Sequence, residues 1–270
     1  MMPGYAGRIA WIDLTEGTVT DQVLEEEIAR KYLGGKGLGA YLLYNNISPN
    51  TDPYAPDNNL IFITGPLTGT TFPAAARSGV ITKSPMTGTF LDTYAGGYFG
   101  PHLKHVGYDA LVVTGKAKKP VYLIVDSGGI FIKDAKRLWG LSSSETEKKL
   151  RHDLKPDRQE KVSVAAIGQA GEGLVRFANI ITEKRAYGRG GAGAVMGSKN
   201  LKAVVIKGDG KLPIADQKAY KEIEKRCRKN IAEHRLTKKG GVFPSIGTWM
   251  TVDLTQNGYP SHEKLAGKHL

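Results

Sequence analysis

The sequence is poor in cysteine, since Cys227 is the one thiol among 270 residues. A single cysteine excludes an intramolecular disulfide framework. It also excludes an iron–sulfur or zinc site whose ligands are all cysteines of this chain. Chains without disulfides are typical of reducing compartments. The cysteine content therefore predicts a cytoplasmic protein.

Long apolar runs and acidic residues are also scarce. No apolar run approaches the roughly 18–20 residues of a membrane span, and residues 1–5 lack the charged-then-apolar order of a signal peptide. We therefore predict a protein that is not exported and has no membrane partner. The 26 acidic residues are outnumbered by 38 Lys and Arg, which gives a net charge of +12 and favours an acidic partner. Because the basic residues are spread along the chain without a nucleic-acid motif, we do not expect that partner to be nucleic acid.

Glycine, by contrast, is abundant and clustered. The chain has 34 glycines, nearly twice the number that an average content of about 7% gives. Such clusters form either tight turns or loops whose backbone can approach a ligand closely, and four of them favour ligand loops. The clusters are Gly34, Gly35, Gly37 and Gly39; Gly96, Gly97 and Gly100; Gly168, Gly171 and Gly173; and Gly188, Gly190, Gly191, Gly193 and Gly197.

The chain up to about residue 210 carries the same order of predicted elements twice. Each half has a hairpin, a helix, strands, and a glycine-rich loop that leads into an apolar strand. The first half has a hairpin at 7–21, helical residues 24–46 broken by the glycines at 34–39, strands at 60–64, 80–82 and 110–113, and a helix at 97–106. The second half has a hairpin at 121–134, a helix at 142–154, and strands at 162–167, 177–181 and 202–207.

The spacing of the glycine loops supports a duplication. From Gly96 to Gly115 there are 19 positions, and from Gly190 to Gly208 there are 18. The sequence therefore predicts an α+β fold, with an internally duplicated β-rich domain over residues 1–210 that has pseudo-two-fold symmetry. Such a domain presents two similar glycine loops to one place.

Residues 211–270 differ in character and are predicted to be the incomplete start of a helical domain. Ile223, Cys227 and Ile231 follow helical spacing, and this segment carries 12 Lys and Arg against 6 acidic residues. We interpret the positive charge as a solvated helix face. Cys227 lies on this basic helix, away from any predicted ligand partner.

Arginines beside the glycine loops predict a phosphate-binding site. Arg77 lies between two strands, and Arg185 and Arg189 flank the second loop. Guanidinium groups next to exposed backbone N–H groups suit phosphate, although these arginines could instead bond local carbonyls or carboxylates. The segment 188–193 also fits G-x-G-x-x-G, but too few residues follow it before the next strand for a dinucleotide-binding crossover.

Six motifs together resemble the N-terminal domain of the tungsten-containing aldehyde ferredoxin oxidoreductases. The similarity runs in order from about residue 5 to residue 260. The motifs are 65–70 (Gly-Pro-Leu-Thr-Gly-Thr), 82–88 (Thr-Lys-Ser-Pro-Met-Thr-Gly), 96–100 (Gly-Gly-Tyr-Phe-Gly), 107–110 (Gly-Tyr-Asp-Ala), 167–172 (Ile-Gly-Gln-Ala-Gly-Glu) and 189–203 (Arg-Gly-Gly-Ala-Gly-Ala-Val-Met-Gly-Ser-Lys-Asn-Leu-Lys-Ala).

The resemblance implies a bis-pterin cofactor of tungsten, or of molybdenum, held between the two halves. Residues 1–210 would be the tungstopterin-binding domain, and backbone oxygens of Tyr94 and Ala186 would hold a magnesium ion that bridges the pterin phosphates. Tyr94 stands where the family pattern has asparagine, so only a backbone role could be kept there. The implied cofactor-binding residues are Arg77, Tyr94, Ala95, Gly96, Gly97, Arg185, Ala186, Gly188, Arg189 and Gly190.

The resemblance also implies a reaction, and it shows which ligands for that reaction this chain does not contain. Family members oxidise an aldehyde with water to a carboxylic acid and pass electrons through a [4Fe–4S] cluster to ferredoxin. The cluster ligands form a C-x-x-C-x-x-x-C run together with one distant cysteine, and these 270 residues do not contain that run. We therefore expect a missing C-terminal portion or partner chain and no activity from this chain alone. A non-catalytic scaffold or assembly subunit of the same fold is the alternative, and a homo-oligomer is possible. No acid or base is assigned; His102 and His105 are expected on a helix surface.

Overall fold

A computed structural model describes residues 2–154 and 161–247, and it divides the chain into two compact units, Met1–Ala215 and Asp216–Leu270. The first unit contains two six-stranded sheets in its described residues. No helix of the described residues is both long and apolar enough to cross a membrane.

The first sheet is built by the first half of the repeat. Its strands are β1 (Arg8–Asp13), β2 (Thr18–Val23), β3 (Leu60–Ile63), β4 (Ser78–Lys83), β5 (Phe90–Ala95) and β6 (Ala110–Thr114). Their spatial order is β2-β1-β6-β3-β4-β5. Strands β1 and β6 pair in parallel, and the other neighbours pair antiparallel.

The second sheet repeats this topology strand for strand. Its strands are β7 (Val121–Asp126), β8 (Gly129–Asp134), β9 (Val162–Ala166), β10 (Ile180–Thr182), β11 (Arg185–Tyr187) and β12 (Leu201–Lys207). Read from the hairpin, the order is β8-β7-β12-β9-β10-β11, with β7 and β12 parallel and the rest antiparallel. The predicted α+β duplication is confirmed, since each strand of one sheet has an equivalent in the other.

Helices cover the outer faces of the sheets and also fill the space between them. In the first half they are α1 (Glu26–Tyr32), α2 (Gly35–Asn46) and α3 (Phe99–His105); in the second half, α4 (Ser143–Leu154), α5 (Gln169–Glu172) and α6 (Ala192–Ser198). Leu38 and Leu42 of α2 pack against Ile61 and Ile81 on the outer face of the first sheet. Leu150 of α4 covers the second sheet in the same way.

The core of the domain lies between the sheets and unites the two halves. One continuous apolar cluster contains Phe62 and Val80 of the first sheet, Val204 of the second, and residues of both α3 and α6. Helix α3 contacts β9 and β12, while α6 contacts β3 and β4, so each inner helix packs on the other half's sheet. Burial of so many apolar side chains is the main favourable term holding the halves together.

The unit that begins at Asp216 shows two helices in its described residues, α7 (Gln217–Glu233) and α8 (Val242–Ile246). The Asp216 carboxylate caps α7 by accepting from the backbone N–H groups of Lys218 and Ala219, each at 2.9 Å. Helix α7 buries none of its side chains, and Cys227 on it is partly exposed.

Three features differ from the sequence-based predictions. Strands β5 and β11 are not among the predicted strands, and the strand predicted at 177–181 is β10 at Ile180–Thr182. His102 is also not on the surface, since it is only 6% exposed. It lies on the inner helix α3, which contacts β4, β9 and β12.

Candidate functional site

A polar cleft opens where the edge strands of the two sheets meet. Strands β5 and β11 contact each other, and a cleft of about 570 Å³ lies beside them. It is lined by Lys36, Arg77, Asp92, Thr93, Tyr94, Ala186, Gly188 and Arg189. Tyr94 and Ala186 are the penultimate residues of β5 and β11, so the two halves contribute equivalent backbone positions.

The cleft carries an excess of positive charge. Lys36, Arg77 and Arg189 line it against the single carboxylate of Asp92. Lys36 Nζ lies 3.1 Å from Asp92 Oδ2, whereas neither arginine forms a salt bridge within residues 2–154 and 161–247. Both guanidinium groups are therefore available to an anionic ligand, for which their forked donors are suited.

The Tyr94 side chain is turned toward the start of α2. Its ring lies over Gly79, where an added Cβ would come within 2.9 Å of Cε1. Burial, followed by the neighbouring Asp92 carboxylate, raises the pKa of the Tyr94 phenol to about 12, and the backbone N–H of Lys36 acts in the opposite direction. The phenol is therefore protonated at neutral pH, and its hydroxyl is engaged by protein groups.

The first glycine loop, residues 96–98, connects β5 to α3 beside the cleft. Ala95 precedes it, is buried at the end of β5 and pairs with Ser78. Gly96 is open, since a Cβ built there has no atom within 4 Å. Gly97 has a φ of +96° and faces the Glu183 carboxylate of the second half. These residues adjoin the cleft and do not line it.

The second glycine loop, residues 188–191, connects β11 to α6. Gly188 lines the cleft, and Gly190 lies against Leu91 of β5. Two side chains of the first half fix this loop: the Arg189 N–H donates to Thr93 Oγ1 at 3.2 Å, and Ser84 Oγ donates to the Gly190 carbonyl at 2.7 Å. The loop is thus anchored on the opposite half.

Arg185 lies apart from the cleft lining. It is the first residue of β11 and is exposed, and its Cγ lies 3.7 Å from the position that a Gly97 Cβ would take. It therefore borders the first glycine loop, while in sequence it precedes the second loop by the length of β11, as predicted.

Sequence reasoning missed three of the lining residues, Lys36, Asp92 and Thr93. Lys36 lies inside the glycine cluster 34–39, which counts among the four candidate ligand loops and breaks a predicted helix, but the lysine itself was not predicted as a site residue. That cluster marks the beginning of α2, close to Tyr94. Asp92 and Thr93 lie on the unpredicted strand β5, and nothing in their local sequence indicated the site.

Beneath the first glycine loop, a buried polar chain crosses between the halves. Ser163 Oγ donates to Glu183 Oε1 at 3.0 Å, so its oxygen accepts from His102 Nδ1, which lies 2.8 Å away. Burial above all, and then the nearby His105, Lys161 and Arg151, lower the pKa of His102 to about 4. His102 is therefore a neutral imidazole with its proton on Nδ1 at physiological pH.

Comparison with known proteins gives consistent matches. A family model described as aldehyde ferredoxin oxidoreductase, N-terminal domain, matches residues 9–208. The tungsten-containing aldehyde ferredoxin oxidoreductase of Pyrococcus abyssi is 43% identical over 269 residues, which cover 98% of this chain and 44% of that protein. The Pyrococcus furiosus protein of the same name is 44% identical over 262 residues, covering 96% and 42%.

A solved structure shares the fold. It is the active site complex BamBC of benzoyl coenzyme A reductase in complex with 1,5-dienoyl-CoA, with a TM-score of 0.84 and 36% identity. The match covers 87% of this chain and 35% of that one. The chain thus spans less than half the length of the relatives it matches.

Proposed function

Since the chain belongs to the aldehyde ferredoxin oxidoreductase family, we propose that the cleft between β5 and β11 binds the tungsten–pterin cofactor of a tungsten-dependent oxidoreductase. The observation that carries this proposal is the cleft itself: two equivalent edge strands and two glycine loops meet beside Arg77 and Arg189, neither of which has a carboxylate partner among the described residues. Phosphate groups of a pterin cofactor would supply the missing negative charge.

The residues present fit such a group. A Cβ at Gly96 would meet nothing within 4 Å, and one at Gly188 would meet nothing closer than 3.7 Å, so backbone is accessible in both loops. Edge strands leave carbonyl groups unpaired along one side. Backbone oxygens of Tyr94 and Ala186 are therefore suitable ligands for a magnesium ion, which prefers oxygen donors.

In the mechanism that we infer, this chain binds and orients the cofactor. When bound, a tungsten or molybdenum bis-pterin would supply the two-electron oxidation of an aldehyde by water to a carboxylic acid. Arg77 of the first half and Arg185 and Arg189 of the second would donate to its phosphates. The residues from Tyr94 to Gly97 would hold one pterin unit, and Ala186, Gly188 and Gly190 would hold the other.

Electron transfer requires groups from outside this chain. One cysteine cannot ligate a [4Fe–4S] cluster of the all-cysteine type. We infer that the cluster, the docking site for ferredoxin and much of the aldehyde cavity come from a C-terminal portion or partner chain. Residues 1–210 would be the cofactor-binding domain, and residues 211–270 would begin a helical domain.

Replacing the arginines tests cofactor binding. In the complete assembly, Arg77→Ala, Arg185→Ala or Arg189→Ala removes a charge-assisted hydrogen bond worth roughly 1.5–3 kcal/mol, about a ten- to hundred-fold loss in affinity. Lysine at the same positions restores binding only partly, because it cannot donate as a planar fork. Tungsten and pterin content of the purified protein are the measurements.

Arg30→Ala is the matched control, because Arg30 is exposed and, among the described residues, pairs with Glu26 on its own helix alone. Its cofactor content is expected to equal that of the wild type. Full retention of tungsten and pterin in all three arginine variants would overturn the assignment.

A scaffold or assembly subunit without cofactor is the second candidate. It is the alternative left open by the absence of a C-x-x-C-x-x-x-C run from these 270 residues. Metal analysis of the complete assembly separates the two functions: tungsten or molybdenum in stoichiometric amount supports the cofactor site, and its absence from an assembly that is otherwise intact supports a scaffold.

A further inference from the structure

Glu183 reaches from the second half of the domain to the first glycine loop. It lies in the turn between β10 and β11, and its carboxylate accepts the Tyr98 backbone N–H at 3.1 Å through Oε1 and at 3.3 Å through Oε2. A Cβ at Gly97 would lie 2.7 Å from Oε2, so only glycine leaves room for the carboxylate there. Residues 85 positions apart in sequence thus meet at the loop.

The carboxylate is held in place from behind. Ser163 of β9 donates to Oε1 at 3.0 Å and in turn accepts from His102 of α3. Helix α3 follows the first glycine loop directly, so Glu183 contacts the loop at Tyr98 and, through Ser163, the helix one turn later. The contacts at Tyr98 and at His102 together fix the first glycine loop relative to the second half of the domain.

The backbone at Glu183 is unusual for a residue with a side chain. Its φ is +55°, a left-handed conformation that costs free energy outside glycine. Such conformations persist where surrounding contacts determine them. Glu183 is the first of the two residues that join β10 to β11, a position at which primed hairpin turns require a positive φ, so the turn itself holds the side chain on the side of the first glycine loop.

We propose that Glu183 is a positioning residue, which sets the shape of the first glycine loop and its distance from the second half across the cleft. The part of this inference that concerns ligand binding rests on the proposed function, because it takes the loop to contact the cofactor. The part that concerns the loop itself does not.

Amide hydrogen exchange tests the loop in the ligand-free 270-residue chain. Glu183→Ala removes both acceptor atoms and is expected to speed exchange of the Tyr98 N–H by at least about ten-fold, which corresponds to about 1.4 kcal/mol. Glu183→Gln keeps Oε1 as an acceptor and should restore slow exchange. Lys184→Ala is the control, because Lys184 lies in the same turn with an exposed side chain.

Unchanged Tyr98 exchange in Glu183→Ala would overturn the proposal. Should that variant unfold globally, Glu183→Asp decides instead, because it keeps the charge but is one methylene shorter. Faster exchange in Glu183→Asp, with other core amides still protected, supports the proposal, and wild-type exchange overturns it.

Binding of inorganic pyrophosphate, measured by calorimetry, tests the link to the cleft. Glu183→Ala is expected to bind several-fold more weakly than the wild type, and Glu183→Gln close to the wild type. If the wild type binds no pyrophosphate, the phosphate-binding cleft is in error, and Tyr98 exchange still decides the role of Glu183. If Glu183→Ala and the wild type bind pyrophosphate with equal affinity, Glu183 does not position the first glycine loop for ligand binding.

Discussion

At the scale of single residues, three lysines are buried almost completely in the domain: Lys104, Lys199 and Lys202. A buried charge is costly unless it is paired or hydrogen-bonded. Lys104 pairs with Asp109, and Lys202 pairs with Glu172. Within the part of the chain that the structure describes, Lys199 hydrogen-bonds to carbonyls and to no carboxylate: its Nζ donates to Pro56 O at 2.8 Å and to Gly115 O at 3.2 Å.

The Lys104–Asp109 pair is expected to be essential for stability. Lys104 Nζ lies 2.5 Å from Asp109 Oδ1 and also donates to the Gly4 carbonyl, while Asp109 accepts from the N–H groups of Ala6 and Gly7. Lys104→Met would leave a buried carboxylate without its cation. We expect the free energy of unfolding to fall by about 3–5 kcal/mol, measured by urea denaturation.

An exposed ion pair provides the control for this variant. Arg30→Ala removes a pair on the surface of α1 and is expected to cost at most about 1 kcal/mol. Equal losses in the two variants would contradict the importance assigned to burial.

Because Lys199 is buried, we expect the free energy of unfolding to rise with pH. Burial lowers its pKa to about 7, against the opposing effect of Asp57 and Asp13, while a lysine in the unfolded chain titrates near 10.4. Between these values the unfolded state binds more protons than the folded state, so the free energy of unfolding increases as pH rises. The expected window is about pH 7 to 9.5, below the titration of unfolded tyrosines.

The measurement compares wild type with Lys199→Met by urea denaturation across that window. The variant leaves the carbonyls of Pro56 and Gly115 without this donor and lowers stability overall, but it lacks the rise with pH. Parallel pH profiles for the two proteins would show that Lys199 is not the responsible group.

At the scale of secondary structure, hydropathy predicts buried strands well and the strands of the cleft poorly. All four residues of β3 are apolar and buried, and this run was recognised. In β5 the buried positions are Leu91, Thr93 and Ala95, while Phe90 and Tyr94 face outward. Because apolar residues occur on both faces, the alternation in burial is not visible as an alternation in hydropathy.

Two glycine-to-alanine changes, one in the second glycine loop and one in a hairpin turn, are expected to lower the free energy of unfolding by very different amounts. Gly191 begins α6 with a φ of +83°, and a Cβ there would lie 1.9 Å from the Arg176 carbonyl oxygen. Gly17, in the turn between β1 and β2, has a φ of +69° with nothing within 4 Å of an added Cβ. Gly17→Ala should therefore cost only the backbone term of about 1–2 kcal/mol.

Gly191→Ala adds a collision with backbone and should cost at least about 3 kcal/mol. The two variants share the sign of φ, so the difference between them isolates the collision. Urea denaturation of both proteins is the measurement, and equal costs would show that the second glycine loop can move away from Arg176 freely.

At the scale of the whole molecule, the duplication was predictable and the junction between the halves was not. Similar spacing from glycine to glycine revealed two equivalent units, and the motifs identified the family, which the match over residues 9–208 confirms. Lys36 and Glu183 come to the glycine loops only through long-range packing. Neither residue stands in a local pattern that marks its role. The predicted cofactor contacts and the boundary at residue 210 stay predictions.

The final prediction concerns what the 270-residue chain does alone. It holds one cysteine, while an all-cysteine [4Fe–4S] cluster needs four thiolate ligands. Apolar side chains are also exposed in the domain, among them Tyr44 at 84%, Phe177 at 70% and Met86 at 59%. Exposed apolar surface favours association. We expect the isolated chain to contain no cluster, to oxidise no aldehyde and to self-associate, while residues 1–210 stay folded.

Anaerobic purification followed by iron analysis, dye reduction with aldehyde and size-exclusion chromatography tests each part. Co-expression with a chain that carries the C-x-x-C-x-x-x-C segment and the further cysteine is the matched experiment. It should restore iron, tungsten and aldehyde-dependent dye reduction together, because the proposed cofactor and cluster would act in series. An iron–sulfur spectrum or aldehyde oxidation from the 270-residue chain alone would contradict this prediction. It would show that the chain transfers electrons without an all-cysteine cluster. Activity restored without iron would place the electron acceptor directly at the cofactor cleft.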